Sequence, residues 1–157
     1  MTKVFHFDSP RSQYQADAAV LWCFDCRFHA GFEKFLKRNG IVTVDAIKIG
    51  GGAKALASPE RETDREFVMD QIRKSIRLHA TKLVILMVHS DCGAYGGLGV
   101  FGNDTAREAE HHQKQLQIAA DCVRESLPGL EVQAYFVDFE GVWRVPVNRA
   151  DEIAVGA

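Results

Sequence analysis

Leu83-Val84-Ile85-Leu86-Met87-Val88 is apolar at six consecutive positions, with Lys82 before it and His89 after it. Successive side chains of a strand point to opposite faces, so a run of this kind is buried on both. That is the pattern of a central strand in a parallel sheet covered by helices on each side. Parallel neighbours cannot be joined by tight hairpins and need helical crossovers.

The rest of the chain supplies those crossovers. Ala18 to Cys23 is a second short apolar run, and Phe28, Phe32, Phe35 and Leu36 follow at helical spacing until Asn39-Gly40 provides a stop. Ile41 to Ile49 is rich in β-branched residues and runs into Gly50-Gly51-Gly52. A helix is then expected with Ser58 as cap, Pro59 in its first turn, and Val68, Ile72 and Ile76 as its buried stripe. After the central strand and a glycine-rich stretch, Gly93 to Gly102, Thr105 and Glu108 have capping-box spacing. The helix they open carries Ala109, Leu116, Ala120, Val123 and Leu127 on one side, and Pro128-Gly129 ends it. Val132 to Val137 reads as a fourth strand. Asp138 to Gly141 reads as a turn and Val142 to Val147 as an edge strand, where Pro146 is tolerated. Asn148 to Ala157 reads as a tail or a terminal helical turn. The expectation is a three-layer α/β fold in one domain over residues 1–157, with a mostly parallel central sheet of about four strands plus an antiparallel edge strand.

Charge removes some function classes. The formal charge is −2, from 19 Lys and Arg against 21 Asp and Glu, with no block of like sign. Such a chain has no electrostatic footprint for nucleic acid or an anionic membrane. No apolar stretch approaches the roughly 20 residues of a membrane span, and Met1 to Arg11 lacks an apolar signal core, so a soluble cytoplasmic protein is expected. Four cysteines in such a chain point to metal or redox chemistry rather than to a disulfide scaffold.

Their placement favours metal. Cys23 ends one apolar run, and His89-Ser90-Asp91-Cys92 ends another. In parallel α/β sheets the ligand site lies beyond the carboxyl ends of the strands, near the point where strand order reverses. Two thiolates and one imidazole brought together there, Cys23, His89 and Cys92, suit zinc in tetrahedral geometry with the fourth position left over. Asp25 and Arg27 alternate with Cys23, so in an extended segment all three face one side. Asp25 then has two possible partners: as a fourth metal ligand it closes the site, and paired with Arg27 it leaves that position to water.

These residues carry a resemblance. Cys23-x-Asp25-x-Arg27 with His89-x-x-Cys92-Gly93 resembles the paired signatures of the β-class carbonic anhydrases, and His-Ser-Asp-Cys-Gly is similar to their archaeal-type branch. Ile47 to Gly52 stands where that family has its arginine-asparagine-alanine-glycine loop, and Ala134 to Asp138 resembles its late strands. The similarity spans Ala18 to Val147. It implies a zinc enzyme that hydrates carbon dioxide reversibly to bicarbonate and assembles as a homodimer or higher homo-oligomer. In the family, the arginine-held aspartate accepts a hydrogen bond from the zinc-bound hydroxide and aims it at carbon dioxide; by position, Asp25 and Arg27 take these roles. Related readings keep the site but give it carbonyl sulfide or carbon disulfide as substrate, or leave it as a non-catalytic zinc site closed by Asp25. This chain departs from the family pattern at Cys26, where serine is usual, and at Ile49, where asparagine is expected. The segment before Cys23 is short, so the helical arm that embraces a partner subunit is expected to be reduced or absent.

Other signals point elsewhere. Cys23-x-x-Cys26 fits a redox pair by spacing alone, but the companion Asp25 and Arg27 fit the metal reading better. Gly50-Gly51-Gly52 lacks the Lys-Ser/Thr of a phosphate loop and is expected to permit close backbone approach to the metal site. His112 falls on an apolar helical stripe and is expected to be packed or at a subunit contact. Cys122 reads as a core residue, and Phe136, Phe139 and Trp143 as packing on the sheet face, with a dimer surface as the sharper alternative.

Overall fold

Trp22 and His89 end strands that lie two and three places into a five-stranded sheet, and the order of that sheet fixes where chemistry can sit. The computed structural model describes residues 1–147. In chain order they form β1 (Ala18–Trp22), α1 (His29–Arg38), β2 (Val44–Lys48), α2 (Lys54–Ala57), α3 (Glu62–His79), β3 (Leu83–His89), α4 (Thr105–Ser126), β4 (Glu131–Val137) and β5 (Val142–Val145). Two 3₁₀ turns, Gly93–Tyr95 and Leu98–Phe101, lie between β3 and α4. The expected tail from Asn148 onward lies outside the described residues.

The sheet order is β2-β1-β3-β4-β5. The first four strands are mutually parallel, and β5 pairs antiparallel with β4 at the edge. This is the expected mostly parallel sheet with one antiparallel edge strand. The chain leaves β1 toward β2 on one side and then crosses back to β3 on the other. The two crossovers run in opposite directions, so their helices cover opposite faces. Alternation sorts the core accordingly. Ala19, Leu21, Val84, Leu86, Val88, Val132 and Ala134 pack under α3 and α4. Val20, Trp22, Ile85, Met87 and Tyr135 pack under α1 through Phe28, Phe32 and Leu36. The strand order therefore reverses between β1 and β3, and their carboxyl ends open a crevice.

Several local expectations are corrected. The helix expected to begin at Ser58 is two helices. Lys54–Ala57 forms a single short turn that Ser58 closes, because the residue before Pro59 is driven out of helical geometry. The long helix starts at Glu62, where the Asp64 carboxylate accepts from the Arg61 backbone N–H at 3.2 Å. Asp104, not Thr105, caps α4, accepting from the N–H groups of Ala106 and Arg107. The β-branched run from Ile41 enters the sheet only at Val44, because the Asp17 carboxylate takes the N–H groups of Val42 and Thr43 at 2.9 and 2.8 Å. Phe136 is in the core as expected, but Phe139 and Trp143 are 67% and 51% exposed, since none of the helices among the described residues covers the outer edge at β5. Residues 1–17 contain no helix or strand. No helix among the described residues is long and apolar enough to cross a membrane.

At the opposite end of the sheet Asp45 ties three elements together. Its carboxylate accepts from Ser75 Oγ at 2.6 Å and Tyr14 Oη at 2.8 Å, and lies 2.8 Å from His79 Nδ1. Burial pushes this carboxyl up, yet the hydrogen bonds from Ser75, His79 and Tyr14 outweigh it and hold it below its ordinary range. A depressed carboxyl adds stability above its unfolded-state value and loses it as pH falls through its folded-state value. Replacing Asp45 with alanine is expected to cost about 1–3 kcal/mol at pH 7, because Ser75 loses a buried partner. The difference from wild type is expected to shrink below pH 4 in urea unfolding. A pH-independent difference would contradict the ionic contribution.

Candidate metal centre

Cys23 lies one residue beyond β1, His89 is the last residue of β3, and Cys92 follows one tight turn later. All three are buried, at 6%, 4% and 2% exposure. Their ligand atoms, two Sγ and an imidazole nitrogen, lie within 4.8 Å of one another. The parallel pairing of β1 with β3 is what closes the long gap in sequence.

Each donor is prepared by its surroundings. His89 Nδ1 lies 2.8 Å from the Ser90 carbonyl, which fixes the tautomer with the proton on Nδ1. Nε2 is left buried and, among the described residues, without a hydrogen-bond partner. A buried polar nitrogen left unsatisfied is costly unless something else binds it. Cys23 Sγ accepts from the Gly51 N–H at 3.4 Å. A hydrogen bond from Cys92, helped by contacts with His89 and Gly51, pulls the Cys23 thiol well below its ordinary value against the opposing effect of burial. The same shared proton, with burial, pushes Cys92 up. The proton shared between the two thiols, beside the buried imidazole, is what a thiophilic cation would displace. Zinc bonds of about 2.0–2.3 Å place tetrahedral donors roughly 3.5–3.8 Å apart, so little contraction is needed. The donor set fits the metal that its chemistry implies.

Close packing makes this possible at Gly52, which stands at φ +55°. A Cβ there would lie 2.5 Å from the Met87 carbonyl oxygen and 3.0 Å from the Cys23 nitrogen. The triple glycine thus supplies close backbone approach, with the Ala53 N–H donating to Met87 O at 3.0 Å. Ile49, in the neighbouring loop, is turned into the core beneath α3.

Asp25 and Arg27 form a forked pair. Arg27 Nη2 and Nε donate to Asp25 Oδ2 at 2.6 and 3.0 Å, and the Arg27 backbone N–H donates to Oδ1 at 3.0 Å. These bonds, led by the guanidinium, hold the Asp25 carboxyl down at about 2. Its Oδ2 lies 3.9 Å from His89 Nε2, so the carboxylate faces the cluster while gripped by arginine. Arg27 has a second anchor that sequence reasoning did not single out. Nη1 donates to Asp91 Oδ2 at 3.0 Å and Nη2 to the Asp91 carbonyl at 3.1 Å. Asp91 itself stands at φ +53°. Glu108 was also missed, since its spacing from Thr105 suggested a cap. It is 1% exposed and accepts from Ser90 Oγ and Asp91 N–H. A signal existed: Glu108, His112 and Leu116 fall on one stripe, and a charge on an apolar stripe needs a reason.

The remaining candidates lie elsewhere. Cys26 is exposed and outside the ligand cluster, and Cys122 is partly buried against the core. His112 is fully buried beside Tyr95 and Phe136, and burial pushes it down to about 3, so it stays neutral. The cleft over the cluster has a volume of about 720 Å³ and is lined by Phe24, Asp25, Arg27, Asp91 and the backbone of Gly50, Gly51, Gly96 and Gly97.

Comparison with known proteins agrees. A family model described as "Putative carbonic anhydrase" matches residues 14–147. An uncharacterized protein of Rickettsia conorii is 26% identical over 133 residues, covering 82% of this chain and 70% of that one. An uncharacterized protein of Rickettsia bellii is 26% identical over 131 residues, covering 82% and 80%. Among solved structures, β-carbonic anhydrase isoform I of Trichomonas vaginalis superposes with a TM-score of 0.57 at 15% identity, covering 89% of this chain and 87% of that one. A tetrameric β-carbonic anhydrase of Sordaria macrospora gives 0.57 at 17%, covering 85% and 82%. The apo form of a carbon disulfide hydrolase gives 0.56 at 12%, covering 90% and 85%; at these identities the likeness is one of fold. The family match spans nearly all of the described chain, and the chain belongs to the carbonic anhydrase family, in its β-class fold.

Proposed function

We propose that this protein is a zinc enzyme that hydrates carbon dioxide reversibly to bicarbonate. The observation that carries the reading is the buried Nε2 of His89, unpartnered among the described residues, beside two competing thiols, with an arginine-held carboxylate 3.9 Å away. Zinc held by Cys23, His89 and Cys92 supplies Lewis acidity, which lowers the pKa of a water molecule far below its bulk value. Asp25 contributes an acceptor that stays ionised at every working pH, because Arg27 fixes it. Its Oδ2 is the atom that receives a hydrogen bond from the reacting water and orients it. Arg27, anchored again on Asp91, keeps Asp25 from turning onto the metal ligands. The glycine backbone around the cleft leaves room for substrate to reach that water.

The wide cleft with Asp25, Arg27 and Asp91 at its wall favours carbon dioxide and bicarbonate over carbonyl sulfide or carbon disulfide, which a narrow apolar passage would suit. The reading includes a cytoplasmic location and assembly as a homodimer or higher homo-oligomer; the assembly is supported by exposed Phe24 in the cleft wall and exposed Phe139 against Arg27.

Stopped-flow carbon dioxide hydration by zinc-loaded protein, followed from pH 6 to 9, tests the reading. Zinc at one per chain without a rate above buffer, even at alkaline pH, sinks it. Asp25→Asn is expected to lower kcat by about 100-fold or more, the scale of losing a positioned proton acceptor, while zinc content stays unchanged. An unchanged rate would remove Asp25 from the reaction.

A further inference from the structure

Glu108 is a carboxylate sealed inside the inward face of α4, above His112, Leu116, Ala119, Ala120 and Val123. Such a group is costly unless fully hydrogen-bonded. Both of its oxygens go to one place. Oε2 accepts from Ser90 Oγ at 2.5 Å, and Oε1 accepts from the Asp91 N–H at 2.6 Å. It is not needed to cap α4, a role Asp104 fills. The adjoining His112 imidazole, with Nε2 3.8 Å from Glu108 Oε1, has no hydrogen-bond partner on either ring nitrogen among the described residues.

Ser90 and Asp91 are the two residues between His89 and Cys92. The Ser90 carbonyl sets the His89 tautomer, and Asp91 holds a left-handed backbone that few non-glycine residues adopt unaided. From that turn Asp91 grips Arg27 twice and takes the Leu98 N–H on Oδ1 at 3.0 Å. One short turn therefore aims two metal ligands and seats the arginine that holds Asp25.

We propose that Glu108 is the positioning residue of this centre, clamping the Ser90–Asp91 turn from beneath and so setting the ligand pair and the Arg27–Asp25 pair together. The inference rests on the zinc reading for its metal readout alone. The test compares Glu108→Met, which keeps side-chain length and apolar packing but no acceptor, with Glu108→Gln, whose carbonyl can accept from Asp91 and whose amide can donate to Ser90. Leu116→Ala, a core change on the same helix that does not touch the turn, controls for lost stability. In metal-free protein, NMR is expected to show faster exchange of the Asp91 amide proton in Glu108→Met and loss of the protected Arg27 Nε–H signal. In cobalt-loaded protein, the thiolate-to-cobalt band is expected to change, and cobalt affinity by chelator competition to fall about 10–100-fold. Glu108→Gln is expected to restore most of both, and Leu116→Ala to leave both as in wild type. Wild-type Asp91 and Arg27 signals in Glu108→Met, or the same losses in Leu116→Ala, would overturn the proposal. Wild-type protein that binds no cobalt would overturn the zinc reading instead, and the metal-free signals would still decide the role of Glu108.

Discussion

Cys92→Ala is expected to abolish stoichiometric zinc, lowering affinity by more than the roughly 100-fold typical of losing an outer hydrogen-bond partner. The change removes one of three donors and also the hydrogen bond that draws the Cys23 thiol down. Cys23 keeps its contacts with His89 and Gly51 but loses the largest of the influences that pull its thiol down, and the set falls to one imidazole and one sulfur. The fold is expected to survive, because Cys92 lies in a turn after β3 and the core clusters on the two sheet faces form without it. Competition with a chromophoric chelator, together with circular dichroism, separates the two effects. A Cys92→Ala protein that keeps one zinc at wild-type affinity would place the metal elsewhere.

The second large effect is at Gly52. Alanine there would put its Cβ 2.5 Å from the Met87 carbonyl oxygen and 3.0 Å from both the Cys23 nitrogen and the Trp22 carbonyl carbon, at φ +55°. All three atoms are backbone of the two central strands or their ends, so none can swing aside as a side chain would. Left-handed strain and overpacking together are expected to cost about 2–5 kcal/mol. With a urea m-value of about 1–3 kcal/mol/M, the midpoint is expected to drop by about 1 M or more. Zinc affinity should fall with it, since Cys23 is pushed from its place. Gly31, in the first turn of α1 with nothing within 4 Å of an added Cβ, is the contrast. There alanine is expected to stabilise by at most about 0.5–1 kcal/mol through helix propensity. Equal effects at the two glycines would contradict the account of Gly52.

β1 and β3 were legible because their burial is nearly complete. A six-residue apolar run has one economical place, and Cys23 and His89 follow from it by standing at strand ends. The short helix at Lys54–Ala57 was not legible, since four residues are far below the length at which a helix persists alone. It exists because Ala53 and Leu56 are buried against the core. Glu108 was hidden by a rule that its spacing satisfied: Thr105-x-x-Glu108 matches a capping box, and only the three-dimensional path of the Ser90–Asp91 turn shows what the carboxylate meets. Asp91 was hidden differently, since a left-handed backbone at a non-glycine residue leaves no mark in the sequence. Phe139 and Trp143 misled because alternation reveals which residues share a face, while only topology reveals whether anything covers it.

The central claim is that two thiolates and one imidazole of this chain hold a single zinc. X-ray absorption at the zinc edge of the purified, zinc-loaded protein tests it directly. Two sulfur donors, one imidazole nitrogen and one further light donor are expected. A shell with no sulfur, or with three or more sulfurs drawing in Cys26 or Cys122, would contradict it.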